Sequence, residues 1–334
     1  MGGKLWSFGV NFLLDLPEIL QMISIVIPNY NSAELLKKNL PRLVELLGKA
    51  KLDYEIIVVD DASTDDSLKR IQYLEARIKG LDSQFQILTS STNRGFASTV
   101  DAGIRAAKGE IVFTMKTDSV PEKAEYFQLM LSHFETKTSQ NNDRKIAEPV
   151  FAVTAALKTL ENGKEEIRGA GEIYFERGFF LHRRIQPNLT NLTNLPNSLR
   201  TDWPDGSASA FRKDLYLKLG GFDKIYDPFY WEDVDLGFRA RKAGYEIHFE
   251  PKAILIHEHE SGAISRHYTA DQIKTISLRN QFIFVWKTGD WKHKLLYILW
   301  EPYHDLIAIK NHDWIFFKAY WWAVWRTFLE TTSL

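Results

Sequence analysis

Four groups of residues stand where apolar runs break off, and their types allow chemistry. The run Ile23–Pro28 passes into Asn29-Tyr30-Asn31, and Glu55–Val59 passes into Asp60-Asp61 with Ser63, Thr64 and Asp65. A carboxylate at such a strand end can accept the imide N–H of a uracil or thymine ring while a nearby aromatic stacks on it. Acids of this kind also serve as turn and capping residues, with Ser63 or Thr64 capping the next helix. Lys116-Thr117-Asp118 ends the run Glu110–Met115, where an aspartate can hold a divalent cation bridging a diphosphate or act as a helix N-cap. Glu232, Asp233 and Asp235 open a helical stretch after Trp231. They suit the positive end of the helix dipole, and one of them can serve as general base toward an attacking hydroxyl. His257 leaves the run Ala253–His257, with Glu258 and His259 behind it. Alone it is a structural or solvent-facing residue, and beside a carboxylate site it is a metal ligand.

These residues need elements that hold them. Leu35, Leu36, Leu40, Leu43, Leu46 and Leu47 recur at three- and four-residue spacing, which predicts a helix after the first strand. Phe85–Leu88 reads as a strand, Phe96–Ala107 as a helix and Glu110–Met115 as a strand. Strands alternating with helices predict a parallel sheet covered on both faces, whose ligands gather at the carboxyl ends of the strands. Val150–Leu157, Glu172–Phe175, Ser209–Arg212 and Ala253–His257 read as further strands. Lys213–Leu219 and Trp231–Ala243 read as helices stopped by Gly220-Gly221 and Gly244. Thr136–Arg144 and Gln186–Asn197 are polar and loop-like, and from Thr269 onward the pattern is helical.

Composition narrows the class. A chain of 334 residues with 45% hydrophobic and 25% charged residues is of globular type. A net charge of −1 gives no overall field toward nucleic acid. The absence of cysteine excludes disulfides and thiolate metal sites. The longest strongly apolar stretch, Trp314–Trp325, contains Lys318 and is too short to span a bilayer. Residues 1–22 read as an amphipathic extension without a signal-peptide cleavage site, so the chain is expected to stay cytoplasmic, and the sequons at Asn188 and Asn191 then carry no glycan. No glycine-rich phosphate loop and no G-x-G-x-x-G follows the first strand, which counts against a nucleotidyltransferase and a dinucleotide oxidoreductase.

The order of the motifs resembles the family 2 glycosyltransferases, in particular their rhamnosyltransferase-like members. The resemblance runs from about Ile23 to about Ser265. It rests on Ser24–Asn31, Ile57–Asp65, Asn93-Arg94-Gly95-Phe96-Ala97, Gly109-Glu110, Thr117-Asp118, Gly220–Asp223, Trp231–Leu236, Gly244-Tyr245 and His257. It implies the GT-A fold, an α/β architecture with a Rossmann-like mixed sheet flanked by helices and, here, a C-terminal aromatic-rich helical extension. It implies inverting transfer of a hexosyl group from a UDP- or dTDP-sugar to an acceptor hydroxyl. By the same resemblance Pro28, Tyr30 and Asp61 hold base and ribose, and Asn31, Asn93, Arg94, Gly95, Lys116, Thr117 and Asp118 belong to the nucleotide-sugar site. Asp205 and Gly206 shape the donor–acceptor boundary. Asp118 and His257 bind Mg²⁺ or Mn²⁺, Asp233 is the base, and Glu232 is a second base candidate or binds the acceptor. Lys116 departs from the family's Asp-x-Asp motif at its first position. A lysine there can neutralise diphosphate charge: one charge pair at 4 Å is worth roughly 4 kcal/mol at an effective dielectric near 20, and a dication doubles that. Asp101 stands where relatives often carry asparagine.

Seven of the ten tryptophans lie at or after Trp286. Trp314, Phe317, Trp321, Trp325 and Phe328 repeat at helical spacing with Lys310, Lys318 and Arg326 beside them. Such a helix suits the membrane interface; packing on the catalytic domain or a homodimer contact is the alternative. The expected organisation is an extension over 1–22, a GT-A catalytic domain over 23–267 and a helical membrane-surface or dimer-contact region over 268–334. The expected partners are a nucleotide-sugar and a saccharide or lipid-linked acceptor for cell-surface polysaccharide, with the protein peripheral on the inner face of the cell membrane and no nucleic acid partner. A catalytically inactive homologue serving as a nucleotide-sugar-binding or membrane scaffold is the competing expectation, and Lys116 is its best support.

Overall fold

The computed structural model describes residues 22–78, 84–134, 149–161, 164–185, 199–257, 264 and 267–332. Residues 1–21 of the extension expected over 1–22, the two polar loops, the sequons, Glu258 and His259 lie outside the described residues, and Met22 already belongs to β1. Strand β1 (Met22–Asn29) is followed by α1 (Ala33–Ala50), β2 (Asp53–Asp60), α2 (Ser67–Ile78), β3 (Gln84–Thr89), α3 (Phe96–Ala106) and β4 (Ile111–Met115). β1 pairs in parallel with β2 and β4, and β2 with β3, as the alternation of strands and helices predicts. Side chains alternate faces with the period of two that a strand imposes. Ile23, Ile25 and Ile27 enter one core with Leu36, Leu40, Leu43 and Leu47 of α1, whereas Val26 enters the opposite core with Val100 and Ile104 of α3.

The second half of the sheet departs from the parallel rule. β5 (Ser119–Pro121) and α4 (Glu125–Leu131) precede β6 (Val150–Glu161), β7 (Lys164–Arg168) and the hairpin β8 (Gly171–Glu176) and β9 (Phe179–Arg184). β10 (Leu199–Arg200), β11 (Ala208–Arg212), α5 (Lys213–Lys218), α6 (Glu232–Lys242) and β12 (Glu246–His257) follow. The main sheet runs β10-β12-β6-β11-β4-β1-β2-β3. β11 is antiparallel to both β4 and β6, so it joins the parallel half built from β3, β2, β1 and β4 to the β6–β12 parallel pair. The result is a mixed sheet flanked by helices. β12 starts seven residues before the Ala253 read from sequence, because Glu246, His248 and Glu250 hide its first half. Its register against β6 shifts between Glu250 and Ile254, around Pro251, which has no N–H to give the ladder.

Two sequence expectations need correction. Neither Ser63 nor Thr64 caps α2, which begins at Ser67: the Ser63 hydroxyl donates instead to Asp60 Oδ1 at 2.6 Å, and the Ser67 amide donates to Asp65. Asp118 caps no helix either, since β5 follows it.

α7 (Ala270–Thr288), α8 (Trp291–Lys310) and α9 (Trp314–Thr332) complete the chain. A capping box starts α7, Thr269 accepting from the Gln272 amide and Gln272 accepting from that of Thr269. Phe282, Ile283 and Phe284 of α7 share a third apolar core with Phe179 and Phe180 of β9, Trp231, Val234 of α6, Tyr297 of α8, and Ala319 and Ala323 of α9.

Candidate active site

The carboxyl ends of β1 and β2 lie side by side, Asn29 opposite Asp60. Asn29 Nδ2 donates to Asp60 Oδ1 at 2.6 Å, and the Asp61 amide donates to the Asn29 carbonyl at 2.8 Å. Asn31 adopts φ +49° and accepts the Thr64 amide at 2.7 Å, so it ties the two turns together. The Asp61 carboxylate accepts the amides of Arg94 at 3.0 Å and Gly95 at 2.9 Å, a clasp on the turn that opens α3. Gly95 sits at φ +85°, and a Cβ there would lie 2.9 Å from the Pro228 carbonyl oxygen, so only glycine fits. The Tyr30 ring stands 5.4 Å from that of His267. Pro28 is the residue on β1 paired with Val59.

Beyond β4 the chain turns through Lys116, Thr117 and Asp118, whose turn is anchored by Asn39 Nδ2 donating to the Thr117 carbonyl at 2.9 Å. Lys116 Nζ lies 5.6 Å from the centre of the Phe96 ring, and a Cβ on Gly206 would lie 3.1 Å from that same ring. Asp118 and His257 come together, with His257 Nε2 3.2 Å from Asp118 Oδ1. A divalent cation is what the fold family implies at this position. An aspartate oxygen suits Mg²⁺ or Mn²⁺ and an imidazole nitrogen suits a transition metal, so the pair fits Mn²⁺ better than Mg²⁺. Among the described residues no group of three or more His, Cys, Asp or Glu side chains could hold a metal.

α6 divides its acids between scaffold and site. Asp235 is fully buried and accepts from Arg239 Nε at 2.7 Å and from the Tyr226 hydroxyl and Lys287 at 3.2 Å each. Glu232 and Asp233 instead face the site. Burial and the neighbouring charges of Asp233 and Asp227 push the Glu232 carboxyl well above the usual range, against the pull of Lys116. Burial and the charge of Asp205 push Asp233 up to about 6. Asp205 goes the other way: despite burial, Arg184 at 2.6 Å, the Ser207 hydrogen bonds and Lys116 hold it ionised. Lys116, Arg184, Asp205, Asp227, Glu232 and Asp233 thus form one electrostatic neighbourhood. The ionised Asp205 resists the ionisation of Asp233, and Asp233 in turn resists that of Glu232, which is what a general base poised near neutrality requires.

Sequence reasoning missed Arg184 and Asp227. Burial raises the Asp227 carboxyl to about 6, and Ser98 donates to it at 3.2 Å. No spacing in the sequence marks either residue, because each meets its partners only through the fold. Asp101, unexplained by sequence, pairs with Arg105 at 2.8 Å and accepts the Tyr216 hydroxyl at 3.2 Å, joining α3 to α5.

Residues 24–154 match the family described as Glycosyl transferase family 2. The probable glycosyltransferase YdaM of Bacillus subtilis (strain 168) is 27% identical over 240 residues, covering 70% of this chain and 50% of that protein. The undecaprenyl-phosphate 4-deoxy-4-formamido-L-arabinose transferase of Pseudomonas fluorescens (strain Pf0-1) is 35% identical over 102 residues, 30% of this chain and 29% of that one. The chain therefore spans half the length of the first of these relatives and under a third of the second. The crystal structure of GalNAc-T7 with UDP, GalNAc and Mn²⁺ superposes with a TM-score of 0.58 at 16% identity, covering 80% of this chain and 48% of that one. The fold is GT-A, and residues 24–154 are similar to glycosyl transferase family 2, in line with the resemblance of the motifs.

Proposed function

We propose that this chain transfers a sugar, with inversion, from a UDP- or dTDP-sugar to the hydroxyl of a lipid-linked or cell-surface saccharide. The observation that carries the reading is the Glu232–Asp233 pair, held above ordinary carboxylate values beside Lys116 and the ionised Asp205. Asp233 removes the proton from the acceptor hydroxyl as that oxygen bonds to the anomeric carbon. The bond from that carbon to the diphosphate oxygen breaks, and the nucleoside diphosphate leaves with the electron pair. Lys116 carries positive charge on the side where the diphosphate charge develops. Asp118 and His257 would hold a divalent cation, which supplies further neutralisation of the leaving diphosphate. Glu232, whose carboxyl burial and Asp233 raise, can donate a hydrogen bond to a substrate hydroxyl in its protonated form. Mn²⁺ in the GalNAc-T7 structure and the undecaprenyl-phosphate substrate named for the second relative support the cation and the lipid-linked acceptor.

The outward surface of α8 and α9 supports a peripheral position on an anionic membrane. Trp291, Leu295, Leu299 and Leu306 of α8 and Trp314, Trp321, Trp325 and Phe328 of α9 are all exposed, Leu306 by 67% and Trp321 by 66%. So many exposed large apolar side chains on two helices call for a partner. The two acids of α8 turn inward: Glu301 hydrogen-bonds Tyr320, and Asp305 lies near Tyr297 and Tyr320. Lys292, Lys310 and Lys318 remain exposed, so the face is apolar and basic, which matches anionic lipid. No described helix is long and apolar enough to cross a membrane.

The deciding experiment is incubation of purified protein with UDP- and dTDP-sugars and a polyprenyl-linked saccharide, with nucleoside diphosphate release and product anomeric configuration read by NMR. Acceptor-dependent release with inverted configuration is expected. Nucleotide binding without any release would replace this reading with that of a scaffold.

A further inference from the structure

Arg279 and Asn280 of α7 are 1% and 0% exposed, yet neither pairs with a carboxylate by any hydrogen bond of its polar atoms described for the pair. Arg279 Nε and Nη2 both donate to Asn280 Oδ1, at 2.9 and 2.7 Å. With its oxygen so held, Asn280 must point its amide nitrogen at the opposing loop. There Nδ2 faces the carbonyls of Tyr226 at 2.7 Å, Phe229 at 2.9 Å and Tyr230 at 2.8 Å. Arg279 Nη2 also reaches the carbonyls of Tyr226 at 3.3 Å and Asp227 at 2.5 Å. Arg326 of α9 takes the next two, donating to Ile225 at 2.9 Å and Lys224 at 2.8 Å. The indole of Trp322, also on α9, lies 4.4 Å from the guanidinium of Arg279 and covers it. The carbonyls of Lys224, Ile225, Tyr226, Asp227, Phe229 and Tyr230 are thus all held by side chains from the C-terminal helices.

This loop leads straight into the carboxylate pair. Tyr230 and Trp231 adopt φ +71° and +75°, a left-handed conformation that bulky L-residues avoid and keep only where the surroundings over-determine it. Glu232 and Asp233 come next in the chain. Asp227, in the middle of the clamped loop, supplies one of the charges that raises Glu232. An apolar pair at 279 and 280 would pack α7 into the same core as well, so a buried cation and amide aimed at four carbonyls need a purpose beyond packing.

We propose that Arg279 and Asn280, braced by Trp322, are positioning residues for the catalytic carboxylates. They hold residues 226–231 so that Glu232 enters the site buried and beside Asp227, with the half-buried Asp233 next to it, and they make α9 part of the apparatus that sets the base. The proposal rests on the reading of Asp233 as general base.

The test is steady-state transfer kinetics across pH 4.5–8.5 for the full chain and for Asn280→Ala, Trp322→Leu and Trp322→Phe, with folding followed by circular dichroism and UDP binding by calorimetry. Asn280→Ala and Trp322→Leu are expected to lower kcat at least about tenfold with the KM for the sugar donor within about twofold. Their acid limb should move about one pH unit downward as the carboxylates become wetter. Trp322→Phe, which keeps an aromatic face over Arg279, should restore kcat to within about twofold of the native enzyme. Unchanged kcat and acid limb in folded Trp322→Leu would overturn the proposal, as would a parallel loss of kcat, UDP binding and folded structure in both tryptophan variants. Should Asn280→Ala not fold, the tryptophan pair decides alone. Failure of the glycosyltransferase reading looks different: the native chain itself would then show no transfer.

Discussion

Asp118 and His257 meet because Ser119, the residue after the aspartate, is the antiparallel register partner of His257. A three-residue strand, β5, therefore brings a side chain from the first half of the chain beside one from the second half. If the pair binds a cation with the nucleotide, Mn²⁺ should tighten UDP binding in the native protein and EDTA should abolish the gain. His257→Ala and Asp118→Ala should each weaken Mn²⁺-dependent UDP binding by about 10–100-fold, as measured by calorimetry. UDP affinity that ignores both EDTA and these substitutions would leave the diphosphate to Lys116.

Asp61 presents a different balance of structure and binding. Its carboxylate already accepts two backbone amides, from Arg94 and Gly95, so it shapes the Asn93–Gly95 turn before any nucleotide arrives. Asp61→Asn keeps the shape but turns one accepting oxygen into a donor facing an N–H. A loss of about 1–3 kcal/mol in urea unfolding is expected, together with a raised donor KM. A variant as stable as the native chain would show that the clasp contributes nothing.

The same residue shows what was legible in the sequence. That Asp61, Asp118, Glu232, Asp233 and His257 end strands or open a helix follows from local hydropathy, because a strand's apolar run stops where its chain leaves the sheet. The parallel half of the sheet was legible for the same reason, since Ile23, Ile25 and Ile27 face one core and Val26 the other. Ser63 was misread because its hydroxyl has two neighbours to choose between, and Asp60 takes it. Arg184, Asp227 and the Arg279–Asn280 pair were invisible because their partners lie 21 to more than 100 residues away, at Asp205, Ser98, and Tyr226 through Tyr230. The antiparallel insertion of β11 was equally unreadable, as strand direction leaves no mark in hydropathy.

The exposed face of α8 and α9 gives a prediction independent of turnover. The native chain should co-sediment with vesicles containing anionic phospholipid, and less with neutral ones. Replacing Trp321 and Trp325 by alanine together should reduce binding at least about tenfold without unfolding the protein, because both side chains are exposed. Raising salt should weaken the remaining attraction through Lys292, Lys310 and Lys318. Equal binding to neutral vesicles would remove the electrostatic part of the argument. Absence of binding together with a dimer in solution would assign the face to a second copy of the chain.

The carboxylate pair ties activity to stability with opposite signs. Asp233 is raised from the ordinary 3.8 to about 6, so the folded state holds its proton more tightly than the unfolded chain does. Stability from the neutral carboxyl is then fully present below about pH 4 and is lost as pH rises through about 6. Over the same interval the residue becomes a base, so kcat should rise about tenfold between pH 5 and pH 7 and then level off. Asp233→Asn cannot ionise. It should lose at least about 100-fold in kcat at pH 7.5 while gaining up to about 1–2 kcal/mol of stability there, allowing for its partial exposure. At pH 4.5 the gain should shrink, since the native carboxyl is then neutral in the folded state as well. Urea unfolding at both pH values, run beside the rate profile, checks the two signs together. An inactive Asp233→Asn that is no more stable at pH 7.5 than at pH 4.5 would mean that the site does not hold the carboxylate against its preference for water, and the base would have to be sought in Glu232.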